Sequence, residues 1–165
     1  DAVTELRPVP GRMQAIANNL SLQVIVDYAH TPDALQQVLK ALKPHVQGAL
    51  ITVFGCGGDR DREKRQLMGR VASTLSDRVV ITSDNPRSEE PLQIIRDIEA
   101  GCVGQYCVQP DRDLAIELAI GEASAGDCVL IAGKGHEDYQ LVNGERLPFS
   151  DALHAQEALA RRVPS

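Results

Sequence analysis

Tryptophan is absent from this sequence, and aromatic rings are scarce, with three Tyr and two Phe among 165 residues. A surface that stacks bases on aromatic platforms is therefore not expected. A basic excess is absent too. The 17 Lys and Arg are outnumbered by 23 Asp and Glu, for a formal net charge of −6, the wrong sign for a duplex footprint, so no nucleic-acid partner is expected. No apolar run approaches the ~20 residues of a membrane-crossing helix, so no membrane partner is expected either. The four cysteines, Cys56, Cys102, Cys107 and Cys128, form no C-x-x-C pair and show no zinc-site spacing with histidine, which leaves no metal ligands to predict. Cys56 and Cys128 adjoin apolar runs as reduced, buried thiols do, which points to the cytoplasm. The chain opens Asp1-Ala2-Val3, with no initiator Met and no signal-peptide pattern, and reads as a cut through a longer protein.

What is present is an alternation. Short β-branched runs at 23–27, 49–54, 78–82, 105–108 and 127–132 read as strands covered on both faces. Between them lie amphipathic stretches. Over 32–43, Leu35, Val38, Leu39 and Leu42 share a helix face, with Thr31 as N-cap and Pro32 opening the helix. Residues 62–75 are expected to bury Leu67, Val71, Ala72 and Leu75. Residues 91–100 are expected to bury Leu92, Ile95 and Ile98. Two further helices follow Asp111 (112–120) and Ser150 (about 151–162), and Asn143-Gly144 signals a hairpin. The fold class is α/β: a Rossmann-like, doubly wound, mostly parallel sheet with an antiparallel edge hairpin. Residues 1–20, with Pro8, Pro10 and Gly11, read as an irregular linker leading into a single domain over 21–165.

In such sheets ligands gather at the carboxyl ends of the strands. Four loops there carry the unusual residues: Asp27-Tyr28-Ala29-His30, Gly55-Cys56-Gly57-Gly58-Asp59-Arg60-Asp61, Asp84-Asn85-Pro86-Arg87 and Gly133-Lys134-Gly135-His136-Glu137. Residues 55–60 miss the third glycine of a dinucleotide fingerprint, where Arg60 stands. Gly133-Lys134 is no Walker A loop, because Cys128 and Gly135 occupy its key positions. Arg60 and Arg87 offer forks for a carboxylate, Asn85 a neutral donor and acceptor, and Glu137 a charge for an ammonium. Together they complement the zwitterionic head of an amino acid. The plainer alternatives are a surface pair of Arg60 with Asp59 or Asp61, a solvated Glu137, and a lone surface Arg87. A cation just ahead of a helix opposes the macrodipole, however, so Arg87 calls for another reason.

The four motifs, in this order, resemble the C-terminal domain of the Mur ligases, nearest to the branch that adds diaminopimelate; the resemblance runs from about Pro8 to the end. D-Y-A-H is general to that family. D-N-P-R is more specific, because lysine-adding members generally lack its arginine. The resemblance implies an ATP-dependent amide ligase of peptidoglycan synthesis that joins meso-diaminopimelate to UDP-MurNAc-L-Ala-D-Glu through an acyl phosphate. By motif match, Arg60, Asn85, Pro86 and Arg87 would hold the far carboxylate of diaminopimelate, and Gly133 and Glu137 its ammonium. Arg12, Asp27, Tyr28 and His30 would approach the nucleotide, although Arg12 has a solvated alternative and His30 a capping one. ATP and Mg2+ are implied for the full-length enzyme, with the ATP-gripping loop and Mg2+ ligands in N-terminal and central domains that this chain lacks, so the chain alone is expected to be inactive. No residue stands out as catalytic; His136 is the candidate general base, and Lys134 is left as a loop residue. A lysine-adding or folylpolyglutamate-type ligase domain stays open, as does a stand-alone nucleotide-binding module built on the glycine loop at 55–58.

Overall fold

The computed structural model describes residues 11–162; of the expected linker, residues 1–10 lie outside the described residues. Five parallel strands form the centre of one sheet: β2 (Gln23–Asp27), β6 (Cys128–Ala132), β3 (Leu50–Phe54), β4 (Arg78–Ile81) and β5 (Cys107–Val108), in that spatial order. A two-residue strand, β1 (Gln14–Ala15), pairs antiparallel with β2 at the edge. The antiparallel edge therefore comes from a stretch expected to be irregular. The reason lies partly in Ile16, whose side chain is buried in the core and whose amide donates to the Val24 carbonyl at 2.8 Å.

The expected hairpin forms around Asn143-Gly144, both in left-handed backbone. Its strands, β7 (Tyr139–Val142) and β8 (Glu145–Pro148), make a separate two-stranded sheet. That sheet meets the body of the domain through a bridge between Arg87 and Val142.

Both faces of the main sheet are covered, which explains the continuous apolar runs. Val24, Val26, Ile51, Val53, Val129 and Ile131 pack with α4 (Arg112–Glu122) and α5 (Asp151–Arg161). Ile25, Leu50, Phe54, Leu130 and Ile81 pack with α1 (Pro32–Leu42), α2 (Glu63–Leu75) and α3 (Pro91–Glu99). The expected caps are in place: Thr31 accepts from the Ala34 amide, Asp111 from Asp113 and Leu114, and Ser150 from Leu153. Two helix faces differ from expectation. On α2, Arg65, Met68, Gly69 and Ala72 turn inward and Leu67 is exposed. On α3, Ile94 joins Ile95 and Ile98 inside, and Leu92 is exposed.

Cys56 and Cys128 are buried as free thiols. Desolvation pushes the Cys56 thiol up to about 12 and the Cys128 thiol up to about 11, which keeps both protonated and unreactive. Among the described residues, no helix is long and apolar enough to cross a membrane.

Candidate functional site

Of the main sheet's strands β6 is reached last but sits between β2 and β3, because the chain turns back across the sheet after β5. Loops leave the carboxyl ends of β2, β3, β4 and β6 on the same rim, beside that switch point. A cavity of about 400 Å³ opens among them, lined by Tyr28, His30, Gly57, Arg60, Lys64, Asp84, Asn85, Arg87, Gly133 and Glu137. A more apolar cleft of about 450 Å³ lies elsewhere, against Ile51, Arg78, Val80, Tyr106 and Ala119. It lacks a comparable convergence of charges, which makes the rim the candidate site.

Arg60 and Arg87 both reach the cavity without a carboxylate partner among the described residues. Arg60 Nη1 donates to the Asp59 carbonyl at 2.9 Å, and Arg87 Nη1 to the Gly58 carbonyl at 2.9 Å. The expected alternative of an Arg60 pair with Asp59 is not what forms. The Asp59 carboxylate instead accepts from the Ser88 hydroxyl and amide.

The loops that carry the two guanidiniums are laced together. The Gly58 amide donates to the Asn85 carbonyl at 2.7 Å. The Pro86 carbonyl lies against Gly58 where any Cβ would sit, so glycine is required there. Pro86 itself is buried and does not line the cavity. Arg87 stands in left-handed backbone, φ 53°. Its amide donates to the Leu141 carbonyl at 2.8 Å and its carbonyl accepts from the Asn143 amide at 2.9 Å. The hairpin thus grips the strained residue on both sides.

Beneath these loops lies Arg65, whose side chain is fully buried. It donates to the Gly57 carbonyl, to both Glu89 oxygens, and to Asp97 at 2.9 Å. Burial alone would lower the Arg65 guanidinium, but hydrogen bonds to Glu89 and Asp97 hold it above its usual value. The same Arg65 bond, with a second from the Asp59 amide, draws the Glu89 carboxyl down from 4.5 to about 2. A depressed carboxyl stabilises the fold above its unfolded value, and that contribution drains as pH falls from 4.5 toward about 2. Urea unfolding of Glu89→Gln should therefore show lower stability than wild type at neutral pH and a flatter loss below pH 4.5. An unchanged acid slope would contradict this assignment.

A second buried pair supports the other side of the rim. Arg112 meets Asp151 in a two-pronged bond of 2.7 and 2.8 Å, both side chains being fully buried. It also donates to the Ser83 and Ala132 carbonyls, each at 3.0 Å, the residues just ahead of the 84–87 and 133–137 loops. Burial would lower this guanidinium, and Asp151 outweighs that to keep it raised.

Of the residues expected at the site, Arg60, Asn85, Arg87, Gly133, Glu137, Tyr28 and His30 line one cavity. Asp27, Arg12 and Pro86 do not. Asp27 is nearly buried, and its two oxygens accept from the Met13 amide at 2.7 Å and the Ala29 amide at 2.8 Å. Arg12 lies 5.9 Å from the Tyr28 ring centre. His30 leaves the helix cap to Thr31 and contacts the Tyr28 carbonyl through Nδ1 at 2.9 Å. His136 is exposed and does not line the cavity. Sequence reasoning missed Lys64, a cavity-lining cation whose Nζ donates to the His30 carbonyl at 2.8 Å. A cation in the first turn of a helix, against the macrodipole, was the available signal. Among the described residues no three His, Cys, Asp or Glu side chains gather closely enough to hold a metal ion.

The profile of the Mur ligase, glutamate ligase domain matches residues 11–135. The UDP-N-acetylmuramoyl-L-alanyl-D-glutamate–2,6-diaminopimelate ligase of Acidovorax sp. is 57% identical over 166 residues, covering 98% of this chain and 33% of its own. The ligase of the same name from Synechococcus elongatus is 56% identical over 157 residues, covering 93% and 32%. A solved structure of a ligase of that name superposes with a TM-score of 0.88 at 49% identity, over 96% of this chain and 33% of its own. A folylpolyglutamate synthase/dihydrofolate synthase from Yersinia pestis shares the fold at 20% identity, with a TM-score of 0.64 over 96% of this chain and 32% of its own. The chain spans about a third of the length of the relatives it matches.

Proposed function

The chain belongs to the Mur ligase family as its glutamate ligase domain, and from that premise we propose that it binds meso-diaminopimelate for an ATP-dependent ligase acting on UDP-MurNAc-L-Ala-D-Glu. The observation that carries this reading is the charge pattern of one small cavity. Two guanidiniums without carboxylate partners among the described residues, an asparagine and a partly open glutamate face the same space. That set matches a carboxylate and an ammonium on one carbon. Arg60, Asn85 and Arg87 take the far carboxylate, while the Glu137 carboxylate and the Gly133 backbone take the ammonium. Pro86 shapes the turn that presents Arg87.

On this reading ATP phosphorylates the D-Glu carboxylate of the precursor. The free amine at the near end of diaminopimelate attacks the acyl carbon, phosphate departs with the acyl C–O bond electrons, and the nitrogen sheds one proton to solvent as the amide forms. This chain's part is to hold and orient the amine, and positioning of that kind accounts for much of the rate in such transfers. Tyr28, His30, Arg12 and Asp27 face the nucleotide side, Asp27 with the lone pairs its two backbone bonds leave over. The acidic donor set needed for Mg2+ is not gathered among the described residues. ATP and a UDP-linked precursor as substrates place the reaction in the cytoplasm.

The test is product formation from ATP, diaminopimelate and UDP-MurNAc-L-Ala-D-Glu. The full-length protein should release ADP only when diaminopimelate is present, and the 165-residue chain alone should release none. Turnover by the chain alone, or a full-length enzyme that prefers lysine, would sink the proposal.

A further inference from the structure

Lys134 is a cation at the rim whose burial the proposed function leaves unexplained. Its side chain is fully buried, and it lies behind the cavity rather than in its lining. The ammonium donates to Asp84 Oδ1 at 3.2 Å and to Asn85 Oδ1 at 3.0 Å, and stands 3.5 Å from Glu137 Oε1. The Tyr139 ring closes the remaining side, 5.6 Å from Nζ. Burying a lysine is costly unless its ammonium finds partners, and here two hydrogen bonds and the nearby Glu137 carboxylate answer it.

We propose that Lys134 is a positioning residue that sets the polarity of the diaminopimelate site; the inference rests on the function proposed above. Asn85 Oδ1 accepts from both Lys134 Nζ and the Leu141 amide, the latter at 3.0 Å. Turning the carboxamide over would set its NH2 group against two donors, so the orientation is fixed by chemistry. The NH2 group of this cavity-lining residue is thereby left for the ligand, as a donor ready for a carboxylate. Lys134 also draws together Asp84 and Glu137, two carboxylates that would otherwise repel. One ammonium against two carboxylates leaves the cluster one negative charge in excess. The ligand's own ammonium supplies the match. A single buried cation therefore makes one side of the head-group site a donor and the other an anion.

The test uses the full-length ligase with Lys134→Met and, separately, Asn85→Asp. Lys134→Met should raise KM for diaminopimelate about tenfold or more, as the loss of a supporting contact does, while KM for ATP stays within about twofold. Asn85→Asp keeps an oxygen facing Lys134 and Leu141 but turns the outward donor into an oxygen facing the ligand's carboxylate. It should fold and should lose diaminopimelate use by about a hundredfold. Were the amide the other way round, the new oxygen would face Lys134 and affinity would hold. Retained affinity in Asn85→Asp overturns the inference, even if Lys134→Met does not fold. A parallel rise of every KM in Lys134→Met overturns it too, because that pattern belongs to a general scaffold residue. A wild-type enzyme that takes no diaminopimelate overturns the proposed function itself. A wild type that takes it, with both variants unimpaired, overturns this inference alone.

Discussion

Replacing Arg87 with alanine in the full-length ligase is expected to lower kcat/KM for diaminopimelate about a hundredfold or more, ~2.7 kcal/mol of lost transition-state stabilisation. The guanidinium has no carboxylate partner among the described residues, so on the proposed function its counter-charge comes from the ligand. It is also aimed. The hairpin holds the residue on both sides in left-handed backbone, which sets where the side chain leaves the chain. Diaminopimelate differs from lysine by one carboxylate, and an Arg87 left without an anion would reject lysine in the wild type. The variant should therefore narrow the gap between the two amino acids, with KM for ATP nearly unchanged. Parallel assays with both amino acids would read this directly, and an intact preference for diaminopimelate would remove Arg87 from the recognition site.

The second large effect concerns stability. Asp151→Ala leaves the Arg112 guanidinium buried without its anion, and breaking a buried pair in this way costs about 3–5 kcal/mol. For a domain of this size that lowers Tm by roughly 6–20 °C. A double replacement, Arg112→Met with Asp151→Leu, should recover much of the loss, because it removes both charges together. The recovered domain should still bind diaminopimelate less well. Arg112 also ties the Ser83 and Ala132 carbonyls, and that tie sets the spacing between the loops bearing Arg87 and Glu137. Thermal melts of the wild type and the two variants, compared with calorimetry on the corresponding full-length proteins, would separate the two roles.

The contrast between these two arginines shows what was legible in the sequence. Arg87 stands in a short motif at a strand end, ahead of a helix, where its charge is out of place. Arg112 meets a partner 39 residues away. Nothing local marks such a partner, because the ion pair exists only once α4 and α5 lie side by side. Strands and capped helices could be read because their signals are local: β-branched runs, Thr31-Pro32, Asp111 and Ser150. The inward face of α2 was misjudged for the same reason Arg112 was missed. Arg65 can turn inward only because Glu89 and Asp97 arrive from elsewhere in the chain, and Leu67 then points to solvent. The edge strand at Gln14–Ala15 was hidden by its length, since two residues make no pattern. On the rim, the cavity-lining Gly57, Arg60, Asn85, Arg87 and Glu137 could be read from charge and glycine placement, whereas Tyr28, His30 and Gly133 came only with the family resemblance. Lys64 left only the faint signal of a cation in a first helical turn, and the burial of Lys134 needed the third dimension.

The positive φ of Arg87 also constrains how this position drifts. Side chains with a Cβ sit uneasily in that conformation, whereas glycine is at ease and asparagine tolerates it. Glycine is one base change from every arginine codon. A lineage released from the need for the second carboxylate should therefore reach glycine at this site without harm to folding, and alanine or valine only by keeping the distortion with nothing to show for it.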